Sequence, residues 1–218
     1  PSSELAEVVL RDAAYIQMED AKYKQKRHAK ENRQGKHPVV PLFTDSDVET
    51  ALSLFRGVPY AKAVDINDQV SVTFHDAGHI LGSAMVEITV CHDGKQTRIV
   101  FSGDIGQNDR PLVRDPSLFE RADFVVMEST YGNREHGDGG EIDLQLEQVI
   151  SDTVSRGGNV VIPAFAIERS QELVYYISRL VHAGRIPPID VYLDSPMAVN
   201  VTTIFRNYRE CFDEETWQ

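Results

Sequence analysis

The pattern of apolar and polar positions at the start of the chain predicts two helices. Residues 4 to about 31 carry apolar side chains at a rough helical spacing, which predicts one long helix. Its apolar stripe comprises Leu5, Val8, Val9, Ala13, Ile16 and Ala21. Thr44 starts a second helix, because Asp47 three residues later completes a partial capping box. That helix is expected to end at Gly57 and to bury Ala51, Leu52 and Phe55.

Alternation with a period of two then predicts a run of strands and hairpins. The expected strands are residues 61–66, 70–74, 84–91 and 97–101. Asn67 and Asp68 form the first turn, and Asp93-Gly94 is a strong signal for a hairpin turn between the last two strands. The compact apolar run at residues 123–127 predicts a fully buried strand.

Helices and short apolar runs alternate in the last third of the chain. Helices are expected over residues 142–154 and 167–181 and after Pro196, with buried strands at residues 159–162 and 189–193. This αβαβα order implies a parallel sheet covered by helices, and the fold class is α/β. A change to polar, glycine-rich composition near residues 131–140 divides the chain into domains 1–130 and 131–218.

Composition and charge exclude some classes of function and leave others open. There is no run of about 18 apolar residues, so no membrane span is expected. The formal charge of −12 argues against a general nucleic-acid coat protein, but not against a metal enzyme that handles phosphates inside a cleft. Cys91 and Cys211 form no CxxC pair, which favours a reduced, cytoplasmic setting. The basic residues 22–33 could meet a polyanion, although such runs are more often a solvated helix end.

Two glycine-rich segments, residues 78–83 and 102–106, flank the second hairpin. His79 lies just before its first strand and Asp104 just after its second, so both fall at one end of the sheet. A neutral imidazole is a common zinc ligand, and a carboxylate at a strand end can bridge two divalent ions. Taken singly, each residue is more often structural; paired across one hairpin, a metal site and a structural role become about equally good explanations.

Glu128 directly follows the apolar run 123–127, where an unpaired charge would be costly. It could orient a catalytic histidine, or serve as a helix cap or a structural ion-pair partner. His136, eight residues later in a polar loop, is expected to be exposed rather than a metal ligand.

Five strings, in a fixed order between Ala77 and Ala198, carry a family resemblance. They read AGHILGSA, FSGDIG, MESTYGNREH, PAFAIERSQEL and DSPMA. The chain resembles the metallo-β-lactamase superfamily, and within it the β-CASP branch of nucleic-acid-processing nucleases of the cleavage-and-polyadenylation-factor type. The resemblance implies part of an αββα sandwich followed by part of a β-CASP domain with a parallel sheet and flanking helices.

The resemblance also implies roles for single residues. His79 and Asp104 would bind metal, with Asp104 bridging two zinc ions, and Glu128 would be a catalytic acidic residue aimed at a histidine further along the chain. The implied reaction is hydrolysis of phosphodiester bonds in single-stranded RNA. Ser195 and His136 would lie near the substrate cleft. The pair Arg169 and Glu172 would hold the inserted domain together.

Departures from the family pattern qualify this expectation. The HxHxDH zinc signature is missing, because no two of the seven histidines are separated by one residue. The chain is therefore expected to be an internal fragment, inactive alone, of a protein that forms a homodimer or joins RNA-processing partner subunits. The alternative is a non-catalytic β-CASP scaffold subunit, which a degenerate HxHxDH upstream would favour. A small-molecule hydrolase is disfavoured by the strings after Tyr131.

Overall fold

The computed structural model describes residues 1–134, 142–208 and 211, and its fold is mixed α/β as predicted. The helices are α1 (Ser2–Lys30), α2 (Asp45–Leu52), α3 (Ile142–Ser155), α4 (Arg169–His182) and α5 (Pro196–Asn207). The strands are β1 (Val64–Asn67), β2 (Val70–Asp76), β3 (Ala84–His92), β4 (Lys95–Phe101) and β5 (Phe124–Val126).

The five strands form one sheet in the order β1-β2-β3-β4-β5. The first four are antiparallel neighbours, and β5 runs parallel to β4. Asp93 and Gly94 join β3 to β4 with φ of 48° and 74°, the left-handed pair that a two-residue hairpin turn requires. Asn67 Oδ1 accepts the N–H groups of Gln69 and Val70, both at 2.9 Å, which closes the first turn. Both predicted hairpins are therefore confirmed.

Residues 123–127 were predicted to form a fully buried strand, and the predicted burial is wrong. Phe124, Val125, Val126 and Met127 are 61%, 60%, 53% and 65% exposed. The strand itself forms, but it is the last in the sheet and pairs only with β4. An apolar run indicates that both faces of a strand can be buried. It does not indicate whether other elements pack against those faces.

The two N-terminal helices begin as predicted, but they bury different residues. In α1 the buried positions are Leu5, Ala14 and Ala21, whereas Ile16 is 50% exposed. In α2 the buried residue is Val48 rather than those expected. The Asp47 carboxylate accepts the Thr44 backbone N–H at 2.8 Å, and the predicted capping box is confirmed. The helix ends at Leu52, before the predicted Gly57.

The last third of the chain is helical in the part that the structure describes. The expected strands at 159–162 and 189–193 do not form: residues 142–208 contain α3, α4 and α5 and no strand. The two segments border one groove of about 790 Å³, and Val161 is 88% exposed. Without a hydrogen-bonded neighbour, their β propensity produces no ladder.

Two hydrophobic clusters hold the molecule together. The larger one joins α1, two loops and α5 through Leu5, Leu81, Leu112, Val201, Ile204 and Phe205. The smaller one joins α3, α4 and the following turn through Ile150, Ile177, Leu180 and Ile186. The larger cluster therefore packs the last helix against the segments that surround the sheet. In the described ranges, the helices are too short or too polar to cross a membrane.

Candidate active site

The loops that carry His79 and Asp104 leave the same end of the sheet. Asp76 pairs with Ala84 at the end of the β2–β3 ladder, so the loop 77–83 projects from that end. Phe101, the last residue of β4, pairs with Val86 near the start of β3, so the following loop 102–106 emerges beside it. The positions agree with the prediction from the hairpin.

The two loops pack backbone to backbone, and this packing requires glycine. The N–H of Gly106 donates to the carbonyl of Ala77 at 2.8 Å. A Cβ on Gly106 would lie 1.6 Å from the carbonyl oxygen of Gly78, a distance that no side chain could tolerate. Gly78 has φ +60°, a left-handed conformation that favours glycine. The contact between the loops therefore requires Gly106, and the left-handed backbone favours glycine at Gly78.

The His79 loop is closed by one hydroxyl group. Ser83 Oγ accepts the backbone N–H groups of His79 and Ile80, both at 3.2 Å. The Ile80 carbonyl in turn accepts the N–H of Ser83 at 2.9 Å. These bonds fix the backbone and leave the imidazole of His79 exposed at the loop surface.

Glu128 ties the Asp104 loop to the end of β5. Its Oε1 accepts the N–H of Ile105 at 2.6 Å, and its own N–H donates to the buried Ser102 hydroxyl at 3.1 Å. The Ile105 N–H lowers the pKa of Glu128 most, followed by the Thr130 hydroxyl and the nearby charge of His79. Each of these stabilises the carboxylate form. The Glu128 carboxylate is thus kept ionised beside the backbone of Ile105, the residue that follows Asp104.

One cavity of about 580 Å³ joins these residues to the start of α4. Its lining includes His79, Asp104 and Glu128 from the end of the sheet, and Glu168 and Glu172 from the start of α4. The geometry therefore brings three sequence-predicted site residues together with a helix more than 40 residues further along the chain.

Glu168 occupies an unusual turn at the edge of this cavity. Its φ and ψ are 66° and −62°, and the N–H of Arg169 donates to the carbonyl of Ile167 at 2.9 Å. This is a γ-turn with positive φ, a conformation that costs free energy in any residue with a side chain. It also explains why α4 begins at Arg169 and not at the predicted Ile167.

The Glu168 carboxyl bridges to the His79 loop. Its Oε2 accepts the N–H of Leu81 at 3.0 Å, while its Oε1 is buried without a hydrogen-bond partner among the described residues. Burial raises the pKa of Glu168 to about 8, a rise that the negative Glu172 reinforces and that the Leu81 N–H opposes. The start of α4 is therefore attached to the loop that carries His79.

Glu172 makes a second link across the cavity. Its buried carboxylate forms an ion pair with Arg169 at 2.8 Å and a longer one with Arg110 at 3.6 Å. The bond to Arg169 lies within the first turn of α4, so the link to the other side of the cavity depends on Arg110. The role predicted for Arg169 and Glu172, holding the inserted domain together, stays a prediction.

Several residues fall outside this arrangement or were missed. Ser195 does not line the cavity; its Oγ accepts the N–H of Ala198 at 3.2 Å and caps α5. His136 lies outside the described residues. Arg110 and Glu168 were assigned no role from the sequence. From the sequence, Glu168 lay inside the predicted helix 167–181, and nothing marked Arg110 in its loop.

The donor set fits a metal site in kind but not in number. An imidazole and a carboxylate line the same cavity, which suits Zn²⁺. However, within residues 1–134, 142–208 and 211 there is no group of three or more His, Cys, Asp or Glu side chains that could hold an ion. His79 and Asp104 are thus two candidate ligands, fewer than the three or four that a bound zinc ion needs.

Comparisons with known proteins match the chain to one domain family and to several ribonucleases. The Beta-Casp domain family matches residues 170–218. Ribonuclease TTHA0252 of Thermus thermophilus is 38% identical over 175 residues, 80% of this chain and 39% of the relative. An RNase J-like protein of Methanocaldococcus jannaschii is 30% identical over 173 residues, 78% of this chain and 40% of the relative. Endoribonuclease YSH1 of Eremothecium gossypii is 31% identical over 177 residues, 77% of this chain and 22% of the relative.

The chain spans 40% or less of the length of these three relatives. The matched stretch covers both sides of the cavity, because it extends over more than three quarters of this chain. These matches show that the chain belongs to the β-CASP branch of the metallo-β-lactamase superfamily.

Proposed function

We propose that the full-length protein is a metal-dependent ribonuclease that hydrolyses phosphodiester bonds in single-stranded RNA. The observation that carries the proposal is the shared cavity, in which His79, Asp104 and Glu128 meet the start of α4. Support comes from relatives that are named a ribonuclease, an RNase J-like protein and an endoribonuclease.

The proposed cofactor is a pair of zinc ions. His79 and Asp104 would hold them, together with ligands outside the described residues. Bound zinc would polarise the scissile phosphate as a Lewis acid. The exposed imidazole and carboxylate at one end of the sheet support this assignment.

The protein's own groups would position the reaction. Glu128 would orient a histidine that lies outside the described residues, and that histidine would protonate the leaving oxygen. The hydrogen bond that Glu128 accepts from the Ile105 N–H holds the Glu128 carboxylate in place for that role. Ser195 and His136 remain proposals as residues near the substrate cleft.

The domain division at residue 131 is also a proposal. The glycine-rich composition of residues 131–140 supports it. The larger hydrophobic cluster spans both parts, because Leu5 and Leu81 pack with Val201 and Phe205. The two parts would therefore move as one unit at this contact.

The proposed setting of the protein is reduced and cytoplasmic. Cys91, which forms no disulfide bond, supports it. The proposed protein partners are a second copy of the protein or RNA-processing subunits.

An RNA cleavage assay on the full-length protein tests this function. Asp104→Ala should lower the rate by at least about 100-fold, because the proposed bridging ligand is lost. Asp65→Ala is the matched control, since Asp65 is an exposed carboxylate on β1 that does not line the cavity. Cleavage by the wild type and by Asp65→Ala, but not by Asp104→Ala, is the expected result. Equal cleavage by all three proteins would contradict the assigned site.

The scaffold alternative predicts a different outcome. If the protein is a non-catalytic subunit, none of the three proteins should cleave RNA. The wild type should stay inactive even when excess zinc is supplied. The scaffold alternative is kept as the second candidate because the described residues contain no group of three or more side chains that could hold a metal ion.

A further inference from the structure

Positive charge is concentrated at one place in an otherwise acidic chain. Residues 22–37 contain seven of the 22 Lys and Arg residues and a single acidic residue, Glu31. Their formal charge is +6, whereas the whole chain carries −12. The catalytic function proposed above gives this segment no role.

The segment forms a pocket. The last turns of α1 and the loop 33–41 surround a cavity of about 740 Å³, which we call the basic pocket. The loop is folded back onto the helix by two side chains: Gln25 Nε2 donates to the carbonyl of Val39 at 2.7 Å, and Gln17 Oε1 accepts the N–H of Leu42 at 2.8 Å. A solvated helix end would need no such closure.

The cations of the basic pocket are available to a ligand. Lys24, Arg33 and Lys36 line it and form no ion pair with any residue that the structure describes. Arg27 pairs with Glu31 at 3.4 Å, but both side chains are about half exposed, and such pairs contribute little. Basic residues also complement a helix dipole, but that effect is confined to the last turn, and these three cations lie outside it.

An aromatic ring stands beside these charges. Tyr23 lines the basic pocket and is 68% exposed. Cations that track a phosphate backbone, combined with an exposed aromatic ring on which a base can stack, are the recurring features of single-strand binding sites. Asp20 is the acidic residue in the lining, so the electrostatic balance there is strongly positive.

The other end of α1 contacts the loop that carries His79. Ser2 Oγ donates to the carbonyl of Gly82 at 2.6 Å, in the loop that carries His79. Because an α-helix rises 1.5 Å per residue, Lys24 lies about 33 Å further along the axis. A stacked strand advances about 3.4 Å per nucleotide, so this span corresponds to about ten nucleotides.

We propose that the basic pocket is a second RNA-binding site, which holds phosphates and one base of a single strand about ten nucleotides from the scissile bond. The identity of the ligand rests on the proposed ribonuclease function. The site itself rests on the fold of residues 22–41. It would provide affinity for long substrates that the acidic remainder of the chain does not.

The test begins with binding in the absence of cleavage. Fluorescently labelled oligouridine of roughly 24 nucleotides is titrated with the full-length protein in EDTA, at about 50 to 200 mM salt. The variant Lys24→Glu/Arg33→Glu/Lys36→Glu should bind at least about tenfold more weakly, with a salt slope shallower by about 2, since each phosphate contact on a single strand contributes about 0.7.

The control variant makes the same charge change elsewhere. Lys62→Glu/Lys95→Glu/Arg156→Glu replaces three exposed cations outside the basic pocket. It should change the affinity by less than about threefold. If the pocket variant retains its affinity and salt slope, or if both variants weaken binding equally, the basic pocket is not an RNA site. Circular dichroism confirms that both variants are folded.

Cleavage kinetics then test the link to the active site. For a substrate of roughly 24 nucleotides the pocket variant should raise KM at unchanged kcat, and for one of roughly six nucleotides it should change neither. An unchanged KM for the long substrate would overturn the link even if binding is lost. Intact RNA binding in a protein that cleaves nothing would overturn the proposed function but not the basic pocket.

Discussion

At the residue scale, the most informative side chain is Glu168. The residue is only 8% exposed, it adopts a strained γ-turn, and its carboxyl group accepts a hydrogen bond from a backbone N–H 87 positions earlier. Leu81, the donor, is itself 1% exposed. Leaving that N–H without an acceptor would cost about 1–3 kcal/mol, enough to hold the turn against its strain.

Stability should depend on pH through Glu168. Its pKa is about 8 in the folded protein and 4.5 when unperturbed, so between these values the folded state binds more protons than the unfolded state. The free energy of unfolding contributed by this group therefore falls as pH rises from about 5 to 8. Glu168→Gln removes the titration and keeps an acceptor for Leu81. Denaturation should find it more stable than the wild type by on the order of 3 kcal/mol at pH 8 and about equal at pH 5.

Glu168→Gly separates the side chain from the turn. Glycine adopts positive φ without strain, but it removes the acceptor for the buried Leu81 N–H, so this variant should be less stable than Glu168→Gln. Parallel pH profiles for the wild type and Glu168→Gln would contradict the burial of an ionisable carboxyl group at this position.

The sequence anticipated only part of the site at this scale. His79 and Asp104 could be placed together because a hairpin brings the two ends of its strands to the same end of a sheet. This rule depends only on local sequence. The contacts of Glu168 with Leu81 and of Glu172 with Arg110 could not be predicted, since they depend on how α4 packs against distant loops. Periodicity contains no information about such contacts.

At the element scale, the site depends on two loops that share a backbone contact. The approach of Gly106 to Gly78 leaves no room for a Cβ atom. The loops 77–83 and 102–106 therefore behave as one unit that sets the spacing of His79 and Asp104. Glu128 secures that unit to β5 through the Ile105 N–H.

Gly106→Ala should separate the two loops. Because backbone atoms, not a flexible side chain, obstruct the new methyl group, we expect a loss of about 2 kcal/mol or more in the free energy of unfolding. Gly57→Ala is the control, since nothing lies within 4 Å of a Cβ at Gly57, and its effect should stay within about 0.5 kcal/mol. Chemical denaturation measures both, and equal stability of the two variants would contradict the close approach.

The elements themselves were predicted unevenly. The β1–β2 and β3–β4 hairpins have local turn signals, and both formed. Burial of β5 and pairing of residues 159–162 depend on neighbours that no local pattern specifies, and neither is present in the part of the chain that the structure describes. Propensity predicts which segments can form strands; the ladder needs a partner.

At the scale of the whole molecule, α1 and the larger hydrophobic cluster connect the proposed functions. The helix begins at the His79 loop and ends at the basic pocket. Its Leu5 packs with Val201 and Phe205 of α5, so the helix also joins the two proposed domains. An acidic chain could thus keep non-specific RNA binding weak while one positive site directs a strand toward the cavity.

The central claim is that His79 and Asp104 are ligands in a metal-dependent nuclease, and metal content tests it most directly. Elemental analysis of the full-length protein, purified without chelators, should find about two zinc ions per chain. His79→Ala should lose metal while remaining folded, because its imidazole is exposed and contributes no core packing. A wild-type protein that contains no zinc and cannot be loaded with it would contradict the account and support the non-catalytic scaffold.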